Sequence, residues 1–177
     1  AATLVKDTYV YGLVDRFAGM ATGTSVDAGT LGYMGASSMG TARDWLRFVT
    51  VTITGTGILY LRHRIESKDA MRFYNQYASF SCNVYHAVGS AINYTVYIRK
   101  PASAADTFSS VTEISNSGAI SVPNATITAL KFENVSMGDC RNGIEIEIKI
   151  ECGAISSKTF YLNDFQLVLG AIALPFR

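Results

Sequence analysis

The chain reads as an all-β protein, an antiparallel β-sandwich of the jelly-roll kind, on three observations. Val49-Thr-Val-Thr-Ile-Thr54 and Ile144-Glu-Ile-Glu-Ile-Lys-Ile150 alternate apolar and polar residues strictly, as strands with one buried face do. About eight or nine such short segments follow one another with turn signals at near-regular spacing, the pattern of a sandwich. Third, Phe160 to Gly170 is mostly apolar with Asn163, Asp164 and Gln166 set inside it, which is how a buried final strand reads. A buried Asp and Gln need hydrogen-bond partners, so Asp164 and Gln166 are assigned a structural role, tying this strand to its neighbours.

Bulk properties bound the rest. At 177 residues the chain suits one domain, 1–177, with a core of its own. Charged residues make up only 16%, so part of the surface is expected to be hidden in a partner. A net charge of +1 with no basic run argues against nucleic-acid binding. The apolar runs fall far short of the roughly 20 residues that span a bilayer, so no membrane insertion is expected. The chain opens Ala1-Ala2-Thr3 with no charged-then-apolar stretch to mark a secretion signal, and reads as a mature product or as a fragment of something longer. Cys140 and Cys152 flank an extended strand that holds them beyond disulfide reach, and Cys82 lies in phase with Phe80 and Val84. Free thiols fit assembly in a reducing bacterial cytoplasm.

In chain order, Thr8 to Gly12 is a strand candidate, followed by Asp15-Arg16-Phe17. Residues 18–41 are mostly Gly, Ala, Ser, Thr and Met, a composition too poor to build a core by itself, and read as a long loop or as thin strands ordered by a neighbouring subunit. Val49, Val51 and Ile53 are expected to face the core. Trp45, the sole tryptophan, either packs inside or offers a platform for a sugar ring. In Arg64-Ile65-Glu66 the two charged residues share a strand face and are expected to pair, with Ser67 capping a short helical turn. Alternating strands follow around Phe80, Val96, Ile120 and Lys131 before the Ile144 strand. Asp139 and Asn142, in a turn, offer generic ligands for a structural calcium and no other cofactor is suggested.

Several of these segments, in order, resemble the carbohydrate-binding-module-like β-sandwich of bacteriophage tail fibres and tailspikes. Asp15-Arg16-Phe17 is similar to its D-R-W opening, Arg64-Ile65-Glu66 to Q-R-I-E, and Tyr77 to His86 to its T-L-S-F-W strand. Asp164-Phe-Gln-Leu-Val-Leu-Gly-Ala-Ile-Ala-Leu-Pro-Phe176 is similar to the ending D-x-Q-L-E-x-G-x-x-A-T-P-F, with Val168 and Leu174 at positions where Glu and Thr are usual. The N-G-x-F-x-x-W-Q-R-G strand that often precedes the opening has no counterpart, so another segment must cover that edge or the start has been trimmed.

The resemblance implies a virion module, often a homotrimer, with Asp15, Arg16, Arg64, Glu66, Asp164 and Gln166 in structural roles. One function class is recognition of a host surface polysaccharide or lipopolysaccharide, with Trp45, Tyr33, Tyr85 and Arg99 as contact candidates, chosen for residue type and expected exposure near strand ends. The other is structural: trimerisation, capping or capsid decoration, working against other virion proteins. No nucleophile elbow, Ser-His-Asp order or paired-carboxylate cleft marks an enzyme.

Overall fold

The computed structural model describes residues 1–11, 16–34 and 44–173. Strands dominate: β1 (Ala2–Thr3), β2 (Val10–Tyr11), β3 (Phe17–Thr22), β4 (Ser25–Met34), β5 (Trp45–Thr54), β6 (Ile58–Ile65), β7 (Tyr77–His86) and β8 (Ile92–Pro101). Then come β9 (Val111–Asn116), β10 (Ile120–Val122), β11 (Thr128–Ser136), β12 (Ile144–Glu151) and β13 (Ile155–Leu169). One helical turn, α1 (Ser67–Ala70), continues into a 3-10 turn between β6 and β7. Among the described residues no helix is long and apolar enough to cross a membrane.

These strands form two antiparallel sheets, the sandwich that the alternating segments predict. One has the order β1-β4-β5-β13-β7-β11 and the other β10-β8-β12-β6-β3-β2, with β9 also paired to β8. Directly opposed residues share a face, so the buried row Phe48, Phe160 and His86 points into the core from the first sheet. Ile146 and Ile98 do so from the second, opposite each other on β12 and β8. The sheets meet closely where a side chain is missing: a Cβ on Gly19 would lie 2.7 Å from Phe48 Cε1.

Residues 18–34, expected as a loop or thin strands ordered by another subunit, are instead β3 and β4, paired to β6 and β5 of the same chain. Residues 35–41 lie outside the described part. The N-terminal residues cover both sheet edges, β1 against β4 and β2 against β3. Of the expected Thr8 to Gly12 strand, Val10–Tyr11 pairs as β2.

The expectation for Val49 needs correction. Thr50 takes a φ of 49°, and the register of β5 shifts against both neighbours nearby. The bulge turns Phe48 and Val51 inward together and leaves Val49 half-buried on the other side. Two local expectations also fail. Glu66, not Ser67, is the N-cap of α1, while Ser67 donates from its backbone N–H and its hydroxyl to the Asp106 carboxylate at 2.6 and 2.8 Å. Arg64 pairs with Glu145 rather than with Glu66. All three cysteines are buried free thiols.

Candidate functional site

β13 outruns its partner. It pairs with β5 only between Ile155 and Leu162, whereas β7 continues alongside it to Leu169. Among the described residues, a cavity of about 600 Å³ lies between the sheets beside this end of β13. Leu61, Phe80, Ile146 and Ile148 form its buried depth. Half-buried aromatic rings wall it: Phe17 stands 4.5 Å from His63 and 4.9 Å from Phe165, centroid to centroid, both pairs tilted. Asp44 and Arg72 bring charge to its edge; Asp164 and Gln166 also line it, but their side chains turn to Asn83 and Ser81 on the outward face of β7.

Local chain geometry shapes this end of β13. Asp164 adopts a φ of 53°, a left-handed conformation that a short polar side chain tolerates better than most. The register of β13 against β7 shifts between Asn163 and Gln166, and Phe165 meets the ring of Phe17 on the opposite sheet. Asp164 Oδ2 accepts from Asn83 Nδ2 at 3.0 Å, and Gln166 Nε2 donates to Ser81 Oγ at 2.9 Å, so both side chains bond to β7. A concave, largely apolar space with a few polar groups at its edge is how binding sites for small organic groups are built.

The predicted contact residues do not converge here. Trp45 is fully buried, but on the outward side of the first sheet, set edge-on to Tyr161 at 6.4 Å, so its indole offers no open face and the stacking assignment is corrected to a buried packing role there. Tyr85 is half-buried and meets Tyr161 at 5.8 Å on the outward side of the first sheet. Tyr33 is 49% exposed, and its hydroxyl bonds Asp44, which raises the phenol pKa and places this ring beside the cavity edge. Arg99 lies on the other sheet, where it contacts Glu147 at 2.6 Å. Phe17, His63, Phe165 and Asp44 were not singled out from the sequence. Phe17 alone carried a signal, as the third residue of the Asp15-Arg16-Phe17 motif.

Of the residues given structural roles, Asp15 lies outside the described part, as do residues 174–176 of the ending motif. Arg16 approaches Glu66 and Asp69, each at 3.7 Å. Arg64 belongs to a larger network on the outward face of the second sheet. There Glu145 and Glu147, only 2% and 5% exposed, sit among Arg62, Arg64 and Arg99. Tyr9 donates its hydroxyl to Glu147 and lies under the Arg62 guanidinium, and burial is the main cause raising its phenol pKa. Two carboxylates this close on one strand face could suggest glycoside hydrolysis. Both are instead engaged by guanidinium groups and shielded from solvent, an arrangement that holds strands together.

Among the described residues no three His, Cys, Asp or Glu side chains gather as metal ligands. Asp139 is occupied by Arg141, whose hydrogen bonds at 2.8 and 3.0 Å pull its carboxyl pKa down to about 2. Asn142 donates its amide to the Ser103 carbonyl.

Two facing antiparallel sheets give the chain a β-sandwich fold. No family model matches the chain, and no curated protein matches its sequence. Among solved structures it is similar to one from a study of promiscuous specificity in carbohydrate-binding modules of the β-sandwich superfamily. There the TM-score is 0.63 at 13% identity, over 89% of this chain and 58% of that one, so this chain spans little more than half of that structure. The C-terminal family 22 carbohydrate-binding module of Clostridium thermocellum Xyn10B superposes at a TM-score of 0.56 and 10% identity, covering 91% of this chain and 90% of that one. Tailspike protein 4 of bacteriophage CBA120 superposes at 0.54 and 11% identity, covering 88% of this chain and 19% of that one. At these identities the likeness is one of fold.

Proposed function

We propose that this chain is a non-catalytic module of a bacteriophage virion, a tail-fibre or tailspike receptor-binding domain that recognises a host cell-surface glycan. The observation that carries the reading is the inter-sheet cavity, with Phe17, His63 and Phe165 as its walls and Asp44 and Arg72 at its edge. Aromatic faces stack on the apolar side of a sugar ring while carboxylate and guanidinium groups bond its hydroxyls, and no covalent step is needed. The carbohydrate-binding-module fold and the ordered motifs of the phage module support it. The ligand on this reading is a surface polysaccharide or lipopolysaccharide, bound without a cofactor by a homotrimer. The other partners are virion proteins, and the virion is assembled in the host cytoplasm.

The test is binding of the fluorescently labelled protein to intact bacteria and purified surface polysaccharides, beside Phe165→Ala and Arg72→Ala variants. Saturable binding to one polysaccharide, weakened about tenfold or more by either variant at unchanged thermal stability, is expected. A folded wild-type sample that binds nothing across a broad panel overturns the reading.

A second reading, assembly, is favoured by apolar exposure at one end of the first sheet. Tyr77, Leu169 and Ile172 are 55%, 52% and 67% exposed, and the Gly170 N–H bonds the Tyr77 carbonyl at 2.8 Å. Such a patch suits a neighbouring subunit. Light scattering that finds a monodisperse monomer at micromolar concentration would remove it.

A further inference from the structure

The cavity is graded from edge to depth. Asp44 and Arg72 are exposed at the edge, and among the described residues the side chains deeper in, Leu61, Phe80, Ile146 and Ile148, are buried and carry no polar atom. A fully hydroxylated sugar pushed to that depth would bury hydroxyls against hydrocarbon, and each unpartnered one weakens binding roughly tenfold or more. Stacking against Phe17 and Phe165 does not relieve that cost, because the rings offer faces and edges rather than acceptors. The space therefore discriminates between sugars by what they carry, not only by ring shape.

We infer that the group entering the cavity is a methyl-terminated substituent of a sugar ring, an N- or O-acyl group or the C6 methyl of a 6-deoxy sugar. The ring and its remaining hydroxyls stay at the edge, against Asp44 and Arg72. This rests on the glycan reading above and names the glycan class that the same site takes. His63, on the wall, is a polar side chain that faces Phe17. It falls where the amide or ester of an acyl group would sit, between an apolar tip and a polar ring. Hydrophobic pockets distinguish ligands that differ by one methylene about tenfold or more.

The experiment uses matched pairs on the wild-type protein. One arm compares a polysaccharide that binds with the same material after alkaline de-acylation. Another competes that binding with N-acetylglucosamine against glucosamine, and with rhamnose and fucose against mannose and galactose. The third repeats the binding with Ile65→Trp, which fills the cavity from a half-exposed position, and with Leu167→Phe should the first variant unfold early. Expected is a loss of about tenfold or more on de-acylation, or selective competition by the 6-deoxy sugars, which tells the two sources apart. The filled variants should lose the preference. Retained glycan binding with no preference in either arm, or a filled and folded variant that keeps the preference, overturns this inference and leaves glycan recognition standing. Absence of binding to every glycan overturns both.

Discussion

Arg64 Nε donates to Glu145 Oε2 at 2.8 Å from the directly opposed position on the next strand. Glu145 is almost wholly buried although it faces outward, and Arg62 and Arg99 stand 3.8 and 3.7 Å from the same carboxylate. Three guanidinium groups thus share this one anion at the middle of the sheet, with Glu147 compensating Arg99 beside it. Removing a partner from a buried ion cluster leaves charge without compensation. Glu145→Ala should cost about 3 kcal/mol in chemical denaturation. Arg64→Ala should cost less, about 1 kcal/mol, since Arg62 and Arg99 remain with the carboxylate. A loss below about 0.5 kcal/mol for Glu145→Ala would mean the cluster is solvated and contributes as surface pairs do.

Tyr9 links the N-terminal segment to this network, with the Arg62 guanidinium 3.5 Å above its ring centroid and its hydroxyl on Glu147. Tyr9→Phe keeps the ring contact and removes only a hydrogen bond to a charged acceptor, which should cost about 1.5 kcal/mol. Limited proteolysis should then cut within residues 1–11 faster than in the wild type, because this segment spans the edges of both sheets. Unchanged cutting and unchanged stability would show that Tyr9 does not hold the segment down.

Strand positions were legible in the sequence because period-two alternation follows directly from the pleat, as in Ile144 to Ile150. Register was not. The left-handed Thr50 is set by pairing with β4 and β13, including its N–H on Thr159 Oγ1 at 3.2 Å, so no local pattern announces that Val49 turns away from the core. Small residues misled for a related reason. Gly19 and its neighbours are small because Phe48 packs against that backbone, which in sequence is indistinguishable from loop composition. The cavity was least legible. Phe17, His63 and Phe165 come from three strands of two sheets and meet only after folding, and Asp164, read as a structural residue, also contributes to the cavity edge. Trp45 was conspicuous by its type, and type alone does not fix exposure.

Gly57 is required by close approach between two loops rather than by its φ. A Cβ there would stand 2.2 Å from the Gly153 carbonyl oxygen and 2.9 Å from Ile53 Cγ2, while the Gly153 N–H donates to the Gly57 carbonyl at 2.9 Å. Backbone held by that bond cannot yield cheaply, so Gly57→Ala should destabilise by about 2 kcal/mol. Gly118→Ala is the contrast, since its Cβ would meet nothing and only its φ of +67° is strained, with an expected cost of about 1 kcal/mol. Equal costs from the two variants in thermal or urea unfolding would mean that the Gly57 contact relaxes freely.

His86 gives the fold a pH dependence whose sign follows from its surroundings. Its ring is fully buried, stacked at 6.1 Å on Tyr94 and 6.3 Å from Phe160. Nε2 lies 3.2 Å from the Val122 carbonyl oxygen, and Nδ1 is buried without a partner. The neutral ring with its proton on Nε2 satisfies the carbonyl, whereas a second proton on Nδ1 would place an unmet donor and a charge among aromatic rings. Burial therefore lowers the folded-state pKa below the ordinary value, with the Val122 carbonyl opposing it in part. The unfolded chain takes up its proton near the usual histidine pKa of about 6.5. Stability from this group is complete above that pH and falls as the pH drops through the window down to the lower folded value, by at most about 1.4 kcal/mol per pH unit. His86→Gln retains an amide donor for Val122 and cannot titrate, so its unfolding free energy should change less between pH 7 and pH 5 than that of the wild type. Identical slopes over that interval would assign the acid sensitivity to other groups.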